Sequence, residues 1–155
     1  LVFSTVHTNS APATITRLID MGIEPFLVSS SIIGVLAQRL VRRICPDCRK
    51  SYQPHPEQLR ELGIKEVSFR KLDRRFFRGD GCDNCRQTGY RGRIGIHELL
   101  VMSEGVKNTI LESSDSDTIK KQGLKEKMIT LRRDGVNKIL HGLTTAEEIL
   151  SITSE

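Results

Sequence analysis

The chain has 155 residues, of which 37% are hydrophobic, enough for one ordinary domain or for two small ones. Its formal net charge of +5 and isoelectric point near 9.2 raise the question of acidic partners such as nucleic acid. Aromatic residues make up only 5%, without tryptophan, which argues against a base-stacking surface, and the most apolar stretch, residues 26–40, is too short and too polar to span a bilayer.

An apolar run, residues 1–6, opens the chain without an initiator methionine. We expect it to be a buried β-strand cut from a longer protein. His7 follows the run with Thr8 and Asn9, so several hydrogen-bonding side chains converge at one edge of the expected sheet. Because open α/β sheets bind ligands at the carboxyl ends of their strands, His7 is a candidate nucleotide-phosphate sensor; a loop histidine bonded to backbone is the alternative.

Two helices and a second strand are predicted next. Ser10 is a good N-cap for a helix that Gly22 ends. A second helix begins at Pro25, and residues 39–44 form a strand that leads into the first cysteine pair. The order of strand, helix, helix and strand predicts an α/β fold for residues 1–44.

The cysteines of the chain form two pairs, Cys45-Pro-Asp-Cys48 and Cys82-Asp-Asn-Cys85. A two-residue gap lets a tight turn present both sulfurs to one point, and two such knuckles complete a tetrahedron around Zn²⁺. The separation, residues 49–81, exceeds that of a usual zinc ribbon, so the knuckles are expected to enclose a small subdomain. Two disulfides or four free thiols are the alternatives. Four sulfur ligands leave no position for water, which makes the predicted zinc structural.

The segments between and after the knuckles are mixed. Residues 56–62 predict a short helix closed by Gly63, and residues 67–77 are expected to be extended and strongly basic. After the second knuckle, residues 88–100 form a glycine-punctuated segment that leads into a strand. His97 in this strand is either a fifth candidate metal ligand or a structural histidine, and we favour the structural role.

From Ser103 onward the pattern is helical, and four short helices are expected. Ser103 caps the first, Thr130 opens the third, and Gly142 stops it. Thr145 and Glu148 have the spacing of a capping box for the last helix. Packing of their apolar faces on each other predicts a compact all-α tail.

Candidate groups for nucleotide chemistry are few. Arg39 and Arg42 lie in a basic cluster beside the first knuckle and are candidate contacts for a phosphate or a neighbouring subunit; charge balance for a dianionic zinc centre is the alternative. The chain contains no G-x-x-x-x-G-K-[ST] phosphate loop and no Ser/His/Asp nucleophile set. By itself it is therefore expected not to be a competent catalyst.

An ordered set of segments covers nearly the whole chain. It comprises Phe3-Ser-Thr-Val-His7-Thr-Asn9, Leu36-Ala-Gln-Arg-Leu-Val-Arg42, the two cysteine pairs, Gly81-Cys-Asp-Asn-Cys-Arg-Gln-Thr-Gly-Tyr-Arg-Gly-Arg93, Gly95-Ile-His-Glu-Leu-Leu100, Leu131-Arg-Arg-Asp-Gly135 and Gly142-Leu-Thr-Thr-Ala-Glu-Glu148. Together these segments resemble the ATPase family of type II secretion and type IV pilus assembly. A lone cysteine pair would be weak support, whereas the ordered set is specific.

The resemblance implies an α/β fragment, the C-terminal part of a RecA-like P-loop NTPase core, followed by a tetracysteine zinc subdomain and a small all-α C-terminal domain. Residues 1–44 would end the core, residues 45–97 would bind the metal, and residues 98–155 would form the helical domain. His7 would lie in a His box that faces the γ-phosphate region. The Walker A and B motifs are absent, so ATP and Mg²⁺ would bind only in the intact parent, and this fragment alone is not expected to hydrolyse ATP.

The implied parent is a homo-hexameric motor, cytoplasmic and peripheral at the inner membrane, that drives protein secretion or pilus extension through the platform proteins of the machinery. The cysteine pairs favour secretion and pilus-extension members over pilus-retraction ones. Two alternatives from other classes are a zinc-ribbon nucleic-acid-binding module and a zinc-stabilised protein-docking adaptor. The sparse aromatic residues and scattered basic residues disfavour the first, and we expect no nucleic-acid partner.

Overall fold

A computed structural model of the protein describes residues 1–71 and 74–153. The elements, in chain order, are α1 (Ala11–Asp20), α2 (Pro25–Ser31), β1 (Gly34–Ile44), β2 (Arg49–Tyr52), α3 (Pro56–Glu61), α4 (Glu66–Lys71), β3 (Phe76–Gly79), a 3-10 turn (Asp83–Cys85), β4 (Tyr90–Val101), α5 (Glu104–Glu112), α6 (Ser116–Lys125), α7 (Leu131–Leu140) and α8 (Ala146–Thr153). Within these described ranges, no helix has the length and hydrophobicity that crossing a membrane requires.

The chain divides into two compact units. The first unit contains residues 1–38 and 97–130, and the second contains residues 39–96 and the chain from Leu131 onward. The long strands β1 and β4 pair with each other, and each contributes residues to both units. The family resemblance predicts three domains with boundaries after residues 44 and 97. These boundaries differ from those of the two units, and the three-domain division stays a prediction.

The first unit is built from α1, α2, α5 and α6 over the paired ends of β1 and β4. The Ser10 side chain accepts the Ala13 N–H at 3.3 Å to begin α1, and Gly22 follows its end with a φ of 91°, as predicted. The helices pack around a buried apolar cluster made of Ala11, Ile15, Val28, Leu100, Met102, Val106, Ile110, Ile119 and Met128. Burial of this cluster is the main stabilising contribution in the unit.

The prediction of a buried strand at residues 1–6 is wrong for the described chain. The segment has no regular secondary structure, and the side chains of Leu1, Val2 and Phe3 are 91%, 90% and 88% exposed. An apolar run becomes a buried strand only when a neighbouring strand takes its backbone hydrogen bonds and a packed layer covers its side chains. Among the described residues, β1 pairs instead with β4, so His7 does not lie at the end of a strand.

The second unit contains a small antiparallel ladder in which β2 pairs with β3, from Arg49 opposite Gly79 to Tyr52 opposite Phe76. Phe76 is fully buried, and its ring makes edge-on contacts with Phe69 at 5.3 Å and with Tyr52 at 6.1 Å between ring centroids. The helix predicted at residues 56–62 is confirmed as α3.

The extended conformation predicted for residues 67–77 is wrong for most of that segment. Its first part is the helix α4, and only from Phe76 is it a strand; residues 72 and 73 lie outside the described residues. Phe69 is 3% exposed and packs on Phe76. The basic segment has only a weak local preference for helix or strand, so burial of this aromatic ring in the tertiary structure favours the helix.

The four C-terminal helices are present but do not form a single helical tail. Helices α5 and α6 belong to the first unit, whereas α7 and α8 belong to the second. The Ser103 cap of α5 is confirmed, and Gly142, with a φ of 67°, follows α7 as predicted. Thr145 accepts the Glu148 N–H at 3.4 Å at the start of α8, but the Glu148 carboxylate binds Arg42.

Candidate metal centre

The first cysteine knuckle follows directly from β1. The N–H of Cys45 donates to the Gly89 carbonyl at 2.9 Å, which attaches the knuckle to the chain just before β4. The second knuckle is a 3-10 turn in which the N–H groups of Cys85 and Gln87 both donate to the Cys82 carbonyl, at 3.2 and 2.9 Å. Arg86 and Gln87 have φ values of 52° and 62°, so left-handed residues reverse the chain after Cys85.

A pair of glycines brings the two knuckles together. A Cβ atom on Gly79 would lie 2.1 Å from the Gly89 carbonyl oxygen, and one on Gly89 would lie 2.5 Å from the Gly79 carbonyl oxygen. No side chain fits between backbones this close. The knuckle geometry therefore requires glycine at both positions.

The four cysteine sulfurs form one cluster, with all Sγ atoms within 4.8 Å of one another. The distance is 3.8 Å from Cys45 to Cys82, 3.8 Å from Cys48 to Cys85, and 3.6 Å from Cys82 to Cys85. A tetrahedron with metal–sulfur bonds of about 2.3 Å has edges of about 3.8 Å, so the cluster fits a four-coordinate ion such as Zn²⁺. All four cysteines are free, and their sulfurs are too far apart for disulfides, which rules out the disulfide alternative in this structure.

The backbone favours negative charge on Cys85. Its sulfur is buried, which opposes ionisation, but it accepts N–H bonds from Cys82 at 3.2 Å and Gly89 at 3.3 Å, and the pKa is lowered to about 6. Burial, with the neighbouring thiols, raises the pKa of Cys48 to about 12. Four thiolates in one cluster repel each other, so full ionisation requires a cation, and the cluster has the donor chemistry of a metal site.

Asp47 links the two knuckles outside the sulfur cluster. Its carboxylate accepts from the Asn84 side-chain amide at 3.0 Å and lies 3.6 Å from the Arg91 guanidinium. The Cys45 thiol lies 3.9 Å from the same carboxylate. In metal sites, contacts of this kind orient the ligands, and here they join the two knuckles.

The structure brings together only the cysteines among the predicted site residues. His7 is exposed in the segment before α1, and His97 is exposed on β4 and outside the sulfur cluster. Arg39 is half-buried on β1. Arg42 belongs to a polar network that the sequence did not predict.

The Arg42 network lies within the second unit. The Glu148 carboxylate accepts from the Arg42 backbone N–H at 2.7 Å and from its guanidinium Nε at 2.8 Å, and the guanidinium Nη2 lies 2.7 Å from it in an ion pair. The guanidinium lies 4.1 Å from the centroid of the Tyr90 ring, and the Tyr90 hydroxyl is 3.0 Å from that of Thr145. Burial favours the neutral form of Glu148, but the bonds from Arg42 outweigh it and lower its pKa.

Sequence reasoning also missed Glu98, which is 3% exposed on β4. Its carboxylate accepts the Ala11 N–H at 2.9 Å, at the start of α1. One signal was available, because strand periodicity places Glu98 on the same buried face as Ile96 and Leu100. A glutamate between two buried apolar positions of a strand indicates a specific polar partner.

Comparisons with known proteins cover all or nearly all of the chain. The family described as Type II/IV secretion system protein matches residues 1–151. The chain is 46% identical over 155 residues to "Type IV pilus assembly ATPase PilB" of Thermus thermophilus, covering 100% of this chain and 17% of that relative. It is 48% identical to "Type II secretion system protein E" of Aeromonas hydrophila and 43% identical to "Type II secretion system ATPase E" of Vibrio cholerae, covering 100% of this chain and 30% of each relative. The chain thus spans less than a third of the length of these curated relatives.

Proposed function

The chain belongs to the type II/IV secretion system protein family, and from this premise we propose that it is the C-terminal part of an ATPase that powers type II protein secretion or type IV pilus extension. The observation that carries the proposal is the family match over residues 1–151, supported by relatives of both systems that are named as ATPases. The parent would be a cytoplasmic homo-hexamer, peripheral at the inner membrane, that acts on the platform proteins of the machinery.

The sulfur cluster supports a structural Zn²⁺ held by Cys45, Cys48, Cys82 and Cys85. The ion would offset two of the four thiolate charges and join the two knuckles, while four sulfur ligands leave no position for a reacting water. The N–H bonds to Cys85 stabilise its thiolate form and prepare this ligand for the metal.

We assign ATP and Mg²⁺ to the intact parent, because the chain carries no phosphate loop. His7 would sense the γ-phosphate there, and its exposed position leaves the imidazole accessible to a nucleotide bound by another part of the protein. Arg42 is a weaker candidate for phosphate contact than the sequence suggested, because its guanidinium already binds Glu148.

The test compares ATP hydrolysis by the full-length protein and by the 155-residue chain, both with Mg²⁺. We expect hydrolysis by the full-length protein and none by the chain alone. His7→Ala should lower kcat by about 10-fold or more while zinc content stays unchanged. His141→Ala, which removes another exposed histidine, is the matched control and should hydrolyse ATP normally.

Two results would contradict these assignments. If the full-length protein does not hydrolyse ATP, the ATPase proposal fails. If His7→Ala turns over as fast as His141→Ala, His7 is not a phosphate sensor, although the ATPase proposal stands.

A further inference from the structure

We propose that Glu98 is a positioning residue for His7, because its buried carboxylate holds the N-terminus of α1 and so fixes the end of the segment that carries the histidine. This inference rests on the proposed ATPase function. It assigns to Glu98, on β4, a role in the phosphate sensing proposed for His7.

The contact is specific and buried. Glu98 is 3% exposed and Ala11 is fully buried, and the Glu98 Oε1 atom accepts the Ala11 N–H at 2.9 Å. The first N–H groups of a helix lack partners within the helix and carry partial positive charge, so an anion is favoured there. The first turn of α1 has no acidic residue of its own, and Glu98 supplies the carboxylate from β4.

The segment from His7 to Ala11 is held at its far end by further short contacts. The Thr8 and Thr14 hydroxyls lie 2.7 Å apart, and the Ser10 side chain accepts the Ala13 N–H at 3.3 Å. His7 precedes this group directly and is exposed. The position of His7 therefore depends on where the N-terminus of α1 is held. The bond from the Ala11 N–H to Glu98 holds it there.

The Glu98 side chain supplies something that an apolar side chain at the same place could not, namely an acceptor for the buried Ala11 N–H. Glu98 lies between Ile96 and Leu100, which are 0% and 1% exposed, on the buried face of β4. A leucine or isoleucine would complete this face without desolvating a charge, but it would leave the Ala11 N–H buried without an acceptor. The buried carboxylate provides a directed bond to α1 instead, and a directed bond fixes position.

The experiment measures kcat and KM for ATP in the full-length protein with Mg²⁺. Glu98→Ala is expected to lower kcat by about 10-fold while KM stays within about 2-fold, because misplaced groups reduce turnover more than binding. Glu98→Gln keeps an oxygen that accepts the Ala11 N–H and should remain within about 3-fold of the wild-type kcat. Faster hydrogen exchange in the peptide containing Ala11 should accompany the loss in Glu98→Ala.

Asp115→Ala is the matched control. The Asp115 carboxylate accepts the Thr118 N–H at 2.8 Å and caps α6 in the same unit, so this variant removes a helix-capping carboxylate without touching the segment before α1. It should lower thermal stability and leave kcat unchanged. Equal kcat in Glu98→Ala and Asp115→Ala would overturn the proposal.

A double mutant separates positioning of His7 from an independent effect. In a His7→Ala background, Glu98→Ala should cause no further loss of kcat, because the group that it positions is gone. If the double mutant's loss of kcat equals the product of the two single losses, the proposal is overturned. Absence of hydrolysis by the wild-type full-length protein would remove the proposed function and this role together, whereas wild-type hydrolysis with an unaffected Glu98→Ala variant removes the role alone.

Discussion

Replacement of Glu148 by alanine should destabilise the protein by about 2–3 kcal/mol, through loss of the Arg42 network. Two hydrogen bonds disappear, one from the Arg42 backbone N–H at 2.7 Å and one from its guanidinium Nε at 2.8 Å, together with the 2.7 Å ion-pair contact of Nη2. Removing one partner of a fully buried ion pair costs about 3–5 kcal/mol. The Arg42 side chain is 57% exposed, so water replaces part of what its guanidinium loses, and the expected cost is smaller.

The assay is thermal or urea unfolding followed by circular dichroism. For a chain of this length, the expected loss corresponds to a decrease in Tm of about 5–10 °C. Glu147→Ala is the matched control, because Glu147 is the exposed neighbour of Glu148 in the first turn of α8. Equal destabilisation by the two substitutions would refute the reasoning.

The same pair predicts a pH dependence. The Arg42 bonds hold the pKa of Glu148 below its ordinary value of 4.5, so the unfolded chain binds this proton more readily than the folded one. The stabilisation is then fully present above about pH 4.5 and is lost as the pH falls through the folded-state pKa. The stability difference between wild type and Glu148→Gln should therefore shrink in acid. Acid also releases a bound metal, but it does so in every variant, so Glu147→Gln serves as the control for that effect. A difference independent of pH would contradict the assignment.

Two further predictions concern the metal centre. Cys82→Ser should reduce bound zinc, measured by elemental analysis, to well below one ion per chain and lower the Tm, since metal binding and local folding are coupled; retention of one ion with unchanged Tm would show that the cysteines are not ligands. Gly79→Ala should lower the free energy of unfolding, measured by urea titration, by about 3 kcal/mol, because its Cβ would meet the Gly89 carbonyl oxygen at 2.1 Å. Gly92→Ala is the control: Gly92 has a φ of 77° but open space around it, so the same measurement should show a loss of only about 1 kcal/mol. Similar losses in both glycine variants would argue against the close approach of the knuckles.

Local chemistry made part of this protein readable from sequence. The two cysteine pairs could be recognised from sequence because a two-residue gap is sufficient to place two sulfurs together. The structure confirms that the four sulfurs form one cluster. The caps at Ser10 and Ser103 were predictable for a similar reason, since a cap is a bond between a side chain and backbone a few residues away.

Only the tertiary structure decided the features that depend on distant partners. Residues 1–6 have the composition of a strand, but strand formation needs a neighbour, and no sequence pattern names that neighbour. Glu98 contacts a residue 87 positions away and Glu148 one 106 positions away, so their roles emerged only when the chain was folded. The sequence by itself determined the two cysteine knuckles and the helix ends because their interactions span a few residues. Strand partners and buried charge pairs were decided by contacts between segments far apart in the chain.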